Sequence, residues 1–159
     1  MKKILFLDID SVMIVHDWNK ADPPRDKFDM LPFTKECVEA LNDIILKTGC
    51  KIVLSSDHKH NHDLETLREI FIFNGCIEGP IDITPTSPLY RGDNLDDGRA
   101  HEIIMWIEST DFDFKWVAVD DLFLDKGEFR EIMKDNFVET QNGIHLVKDE
   151  IIEILNESI

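Results

Sequence analysis

Short apolar runs alternate with helix-spaced apolar positions along this chain. Ile4, Leu5, Phe6 and Leu7 follow one another without a polar interruption, as expected for a strand buried on both faces of a parallel sheet. The same pattern recurs at Ile52-Val53-Leu54 and at Trp116-Val117-Ala118-Val119, with a short strand predicted around residues 81–83 and an edge strand at Phe137-Val138. Between these runs the period changes. Val38, Leu41, Ile44 and Ile45 keep helical spacing after Thr34, a predicted N-cap, and before Thr48-Gly49. Leu64, Leu67, Ile70 and Phe71 predict a helix over 63–73 closed by Asn74-Gly75. Two more are predicted, over 97–108 and around Ile151–Leu155. Residues 13–33, with Pro23, Pro24 and Pro32, read as an irregular flap.

Strands alternating with helices predict an α/β protein: a three-layer α/β/α, Rossmann-like fold with a mainly parallel sheet, as a single domain over 1–159. The ligand crevice of such a sheet lies outside the carboxyl ends of its strands. The polar residues that directly follow the apolar runs are Asp8 and Asp10, Ser55 and Ser56, and Asp120 and Asp121. All three groups are therefore expected on one rim.

Carboxylates crowded on a rim raise one another's pKa unless a cation neutralises them. Magnesium, a hard ion with oxygen ligands, suits such a set and binds substrate phosphate as well. Asp8 is then placed to act as a nucleophile and Asp10, two residues on, as a general acid and base. Ser55 offers a hydroxyl to phosphoryl oxygens, and Arg99, after Gly98 at a predicted helix start, offers a fixed positive charge. Each signal alone also fits something plainer: a strand-end turn, a helix cap, or an exposed arginine paired with an acid. Their arrival in this order at strand ends is more specific than any one of them.

Composition narrows the partners. Thirty-three acidic residues against seventeen Lys and Arg give a formal net charge of −16, which repels polyanions and disfavours both nucleic acid and anionic lipid. Part of that acid serves solubility. Cys37, Cys50 and Cys76 lack metal-ligand spacing and read as buried thiols in a reducing compartment. Asp8 and Asp10 cut short the opening apolar run, so it is not read as a signal peptide, and no stretch is long enough to span a membrane. A cytoplasmic location is expected. His58, His60 and His62 alternate after the second signal; a solvated loop, contact with substrate and zinc binding are the readings in descending order. Trp18 in the flap is read as packing or as stacking on a substrate ring, and Trp106 and Trp116 as core.

The sequence resembles the haloacid dehalogenase (HAD) superfamily of phosphohydrolases over nearly its whole length. The family's first motif is matched by Leu5-Phe6-Leu7-Asp8-Ile9-Asp10-Ser11-Val12 and its second by Ile52-Val53-Leu54-Ser55. Arg99 matches the third, and Trp116-Val117-Ala118-Val119-Asp120-Asp121 the fourth. Within the superfamily the chain is most similar to the compact HAD domain of Swiss Army Knife RNA repair proteins. Ser55-Ser56, Ile83-Thr84-Pro85, Arg99 with Glu102-Ile103 and Trp106-Ile107, Asp120-Asp121 and Gly143-Ile144 carry that similarity. It departs at Asp57-His58-Lys59, where that group usually has Trp-Arg, and at Ser11, where many relatives have Gly.

The resemblance implies a HAD-like fold with a minimal cap and a phosphatase that works through an aspartyl phosphate on Asp8. Asp10 would serve as acid and base, and its backbone carbonyl would help hold Mg2+. Ser55, Ser56 and Arg99 would bind the phosphate, and Asp8, Asp120 and Asp121 would complete the metal site, with Asp125 a weaker candidate. It implies a phosphorylated small molecule or nucleotide as substrate, or a polynucleotide end, against which the net charge weighs. The short stretch from Ser11 to Ser55 leaves no room for a large lid, so the site should be open to a bulky substrate or a partner that completes it. The altered segment 57–59 keeps a second reading in play, a binding or regulatory domain without turnover. A receiver-like domain phosphorylated on Asp8 is a third, disfavoured by Asp10.

Overall fold

The computed structural model describes residues 1–15, 17 and 19–157; Trp18 lies outside them. The three apolar runs are strands. β1 (Lys2–Leu7), β2 (Lys51–Leu54), β3 (Asp82–Ile83), β4 (Phe114–Asp120) and β5 (Phe137–Glu139) form one sheet in the order β3-β2-β1-β4-β5. Every pairing is parallel. β1 occupies the centre, and its last four residues are fully buried because helices cover both faces.

The alternation along β1 sorts its side chains between two cores. Leu5 and Leu7 join Ile52, Leu54, Val117 and Val119 beneath α1 (Lys35–Thr48), α2 (Leu64–Phe73) and α5 (Lys148–Asn156). Ile4 and Phe6 face the other way with Val53 and Ala118, beneath α3 (Leu95–Glu108) and the single-turn α4 (Arg130–Met133). Phe6 sits edge-on to both Trp106 and Trp116, at 5.4 and 5.7 Å between ring centres. Burying each such side chain is worth roughly 1.5–3 kcal/mol, so the centre of the sheet carries much of the fold's stability. Trp106 is core; Trp116, near the start of β4, is half-buried.

The predicted stops hold. Gly49 caps α1 in the left-handed conformation at φ 71°, and the side-chain oxygen of Asp63 accepts from the Thr66 N–H to start α2. Thr34 occupies the N-cap position of α1, yet its hydroxyl makes no cap bond. Its Oγ1 instead accepts from the Val15 N–H at 2.9 Å, pinning the flap to the start of the helix. Arg99 is not at a helix start either. It is the fifth residue of α3, because the helix starts at Leu95, two residues earlier than predicted, and it is buried.

Chain order fixes where the site falls. After β1 the sheet grows one way through β2 to β3, and the chain then returns to β4 beside β1 and grows the other way. The crevice therefore opens between the carboxyl ends of β1 and β4.

Candidate active site at the strand rim

Asp8 follows β1 and Asp120 ends β4, so the two carboxylates meet at that switch point. The Asp8 N–H donates to the Val119 carbonyl and the Ser55 N–H to the Leu7 carbonyl, which stitches the three strand ends together. One carboxylate oxygen from each of Asp8, Asp120 and Asp121 lies within 4.8 Å of the others. Asp8 and Asp120 are buried, and Asp121 is half-buried. Asp125 lies outside this cluster, as does the carboxyl group of Asp10.

A single buried cation answers the cluster. Arg99 reaches in from α3, its Nη1 2.7 Å from Asp120 Oδ2 and 3.4 Å from Asp8 Oδ1. Its Nη2 donates to the Tyr90 hydroxyl at 2.9 Å, lies 3.4 Å from Asp57 Oδ1, and the guanidinium packs over the Tyr90 ring. Gly98 makes this possible, because a Cβ there would collide with the Tyr90 backbone. Burial alone would weaken the proton on Arg99, but Asp120, Asp8 and Tyr90 more than offset it and hold the guanidinium charged.

Three acids against one guanidinium leave two negative charges uncompensated. The acids respond as physics requires. Burial, then the neighbouring Asp120, pushes the Asp8 carboxyl well above its usual range, against the opposing pull of Arg99. Burial likewise raises Asp120 to about 6. A divalent cation among these oxygens removes the imbalance, and the all-oxygen donor set is the kind magnesium prefers. The residues present therefore fit that ion.

Two buried donors on the site's side chains have no partner, the Ser55 hydroxyl and the Arg99 Nε–H. Buried polar groups are rarely left so in folded proteins, and ligand sites are where the exceptions collect. Ser56 plays a local part: its hydroxyl accepts from the His58 N–H at 3.3 Å and starts the short 3-10 turn over Asp57–His60.

Asp10 points elsewhere. Its Oδ1 lies 3.2 Å from His58 Nε2, and this hydrogen bond holds the Asp10 carboxyl below its usual range. Of the three alternating histidines, His58 is thus the one at the site, and among the described residues the three form no metal cluster. Ser11 adopts a left-handed backbone at φ 65°, a conformation that glycine takes most readily. Its carbonyl accepts from the Gly143 N–H and that of Val12 from the Ile144 N–H, so the turn carrying Asp10 is tied to the segment after β5.

Beside the rim lies a second buried ionic group that the sequence did not reveal. Lys59 Nζ contacts Glu102 Oε1 at 2.6 Å and also donates to Thr84 Oγ1 and the Pro85 carbonyl. Glu102 accepts the Ser87 N–H through its other oxygen. Lys59 and Tyr90 are the residues of this neighbourhood that spacing gave no reason to choose, because each acts across a loop. Glu102 carried one signal, a charged residue on the helix face that also holds Ile103.

A family model described as the HAD domain in Swiss Army Knife RNA repair proteins matches residues 4–151. Comparison with curated proteins and with solved structures gives no match. The family match spans nearly the whole chain, including the switch-point acids, the strand-end serine and the helix-borne arginine, and the chain belongs to the HAD domains of Swiss Army Knife RNA repair proteins.

Proposed function

We propose that the protein is a magnesium-dependent phosphatase that hydrolyses phosphate monoesters through an aspartyl phosphate on Asp8. The observation that carries this reading is the switch-point cluster, three carboxylates within 4.8 Å of one another answered by a single buried guanidinium. Asp8, Asp120, Asp121 and the Asp10 carbonyl are the groups that would hold Mg2+, which would neutralise charge between Asp8 and an incoming phosphate.

In the first step the Asp8 carboxylate attacks phosphorus, the P–O bond to the alcohol breaks, and Asp10 gives its proton to the departing oxygen. In the second, Asp10 takes a proton from water as it attacks the same phosphorus, which frees Asp8 and inorganic phosphate. His58 orients Asp10 and favours the ionised form that the second step uses. A bound phosphate's negative charge favours the protonated form that the first step uses. Arg99 steers Asp8 and, with the Ser55 hydroxyl, supplies donors to the phosphoryl oxygens.

Family membership puts forward a nucleotide or polynucleotide end as substrate, and the net charge of −16 weighs against a long polyanion. No helix among the described residues is long and apolar enough to cross a membrane. The three cysteines are free and buried, which fits a cytoplasmic setting.

The test is turnover of an aryl phosphate and a nucleotide panel, with and without magnesium. Asp8→Asn should lose activity on the order of 10³-fold or more, as should chelation of the metal. Unchanged turnover in Asp8→Asn would remove the covalent mechanism. Wild-type protein that binds magnesium yet hydrolyses nothing would favour the regulatory reading.

A further inference from the structure

The guanidinium of Arg99 divides its hydrogens among unequal partners. Nη1 faces the acids, 2.7 Å from Asp120 Oδ2 and 3.4 Å from Asp8 Oδ1. Nη2 is shared by the Tyr90 hydroxyl at 2.9 Å and Asp57 Oδ1 at 3.4 Å. The Nε–H has no partner. In an arginine, Nη2 is the terminal nitrogen on the same edge as the Nε–H, and that edge is a fork that takes two oxygens of one carboxylate or phosphate. Here the fork is half-filled. Asp57 meets Nη2 alone, at the long end of hydrogen-bonding distance, while the Nε–H beside it is buried and idle. An oxyanion that bridges both nitrogens must take an Nη2 hydrogen from Tyr90 or from Asp57.

The two are not equally easy to dislodge. Tyr90 is half-buried, and its ring centre lies 5.2 Å from the guanidinium carbon. Its backbone packs so closely on Gly98 that a Cβ there would come within 2.2 Å of the Tyr90 Cα. Burial, then the Asp57 carboxylate, pushes its hydroxyl up to about 12, so it stays neutral and repels no anion. Asp57 differs on each count. Its side chain is 56% exposed, its contact is the longer, and its charge has the sign of an incoming phosphate. Only that side chain need turn, because the backbone around it is fixed. The Ser56 hydroxyl accepts from the His58 N–H, His58 bonds Asp10, and Lys59 is buried against Glu102. Ser55, whose hydroxyl is the other idle donor of the site, lies two residues before Asp57.

We infer that Asp57 is a built-in competitor for the phosphoryl group: without substrate its carboxylate stands on the arginine fork, and a phosphate ester binds by displacing it. The inference rests on the phosphatase reading and adds to it a residue that sets affinity without touching the reacting atoms. What it gains is release. The donors that hold a substrate's phosphoryl group also hold inorganic phosphate, and binding the two equally well does nothing for turnover. A carboxylate tethered beside Arg99 returns to it at high effective concentration and helps the product leave.

Calorimetric titration of the magnesium-loaded protein with inorganic phosphate tests the competitor. Asp57→Asn keeps the side chain's size and removes its charge, and should bind phosphate about fivefold more tightly than wild type. Asp57→Ala should do the same, since the competition lies in the charge. With an aryl phosphate, KM and the inhibition constant of phosphate should fall together in Asp57→Asn, with no gain in kcat. A residue that only held Arg99 in place would give the opposite sign. Weaker or equal phosphate binding in both variants therefore overturns the inference. NMR of the Arg99 Nε–H reads the fork itself. Phosphate should shift that resonance in wild type and variant alike, and a resonance that does not move overturns the inference as well. Tighter phosphate binding in a variant of a protein that hydrolyses nothing sustains the competitor while the phosphatase reading fails. Turnover with a phosphate affinity unmoved by Asp57→Asn sinks the competitor alone.

Discussion

One turn of α3 separates two buried charge groups that obey opposite rules. At Glu102, one acid meets one base, and all three Lys59 donors find acceptors, in Glu102, Thr84 and Pro85. At Arg99, three residues earlier, one base faces Asp8, Asp120 and the nearby Asp121, and the Arg99 Nε–H and the Ser55 hydroxyl have no partner. The first group is closed and ties α3 to the 3-10 turn and the 84–87 loop. The second is open, short of positive charge and holding unspent donors. A fully satisfied buried pair fixes a structure, whereas an unsatisfied one waits for a ligand to complete it.

Removing a charge from each group should therefore have opposite consequences for stability. Asp8→Asn has the largest expected effect on turnover, given above. In the presence of a chelator the same variant should melt higher than wild type, by on the order of a few degrees, because one of the crowded buried acids is gone. Lower melting in calorimetry would mean that Asp8 contributes more through Arg99 than it costs through Asp120. Lys59→Met should cost about 3–5 kcal/mol in urea unfolding, because it strands Glu102 in the interior. The double variant Lys59→Met with Glu102→Leu should recover most of that loss. If it does not, the pair does more than balance charge, and the backbone bonds at Pro85 and Ser87 become the reason.

The smallest effect concerns pH. Asp8 and Asp120 carry raised pKa values without metal, Asp120 at about 6, so each tends to hold a proton that the metal must displace. Magnesium binding should release protons, and its apparent affinity should weaken as pH falls through about 6. Titration calorimetry in buffers of different ionisation heat measures both. Affinity independent of pH between 5 and 7 would contradict the burial argument.

The open group was the more legible in sequence, for a physical reason. Asp8, Ser55 and Asp120 each follow an apolar run directly, and parallel strands bring their carboxyl ends to one rim whatever the loops do. The strands were legible because both faces are buried, and α1 and α2 because Gly49 and Asn74-Gly75 stop them. The inner face of α3 gave a weaker signal, since Arg99 and Glu102 stand where apolar residues would mark a core stripe. Lys59 was unreadable: its acceptors lie 25 to 43 residues away, and a lysine in a loop carries no local mark of burial. The single turn of α4 is too short for a period to show. Thr34 followed the capping pattern, but the flap's Val15 N–H claimed its hydroxyl.

The turn at Ser11 has a consequence for how far the active rim reaches along the chain. Its two anchoring bonds come from Gly143 and Ile144, and Gly143 holds a φ of 111° with the His145 ring and the Cys37 sulfur crowding the space a side chain would need. The turn that carries Asp10 is thus anchored by a glycine far along the chain, beyond β5. Under the proposed mechanism, damage to that distant stretch should surface as faulty proton transfer while leaving the strands and the carboxylates at their ends in place.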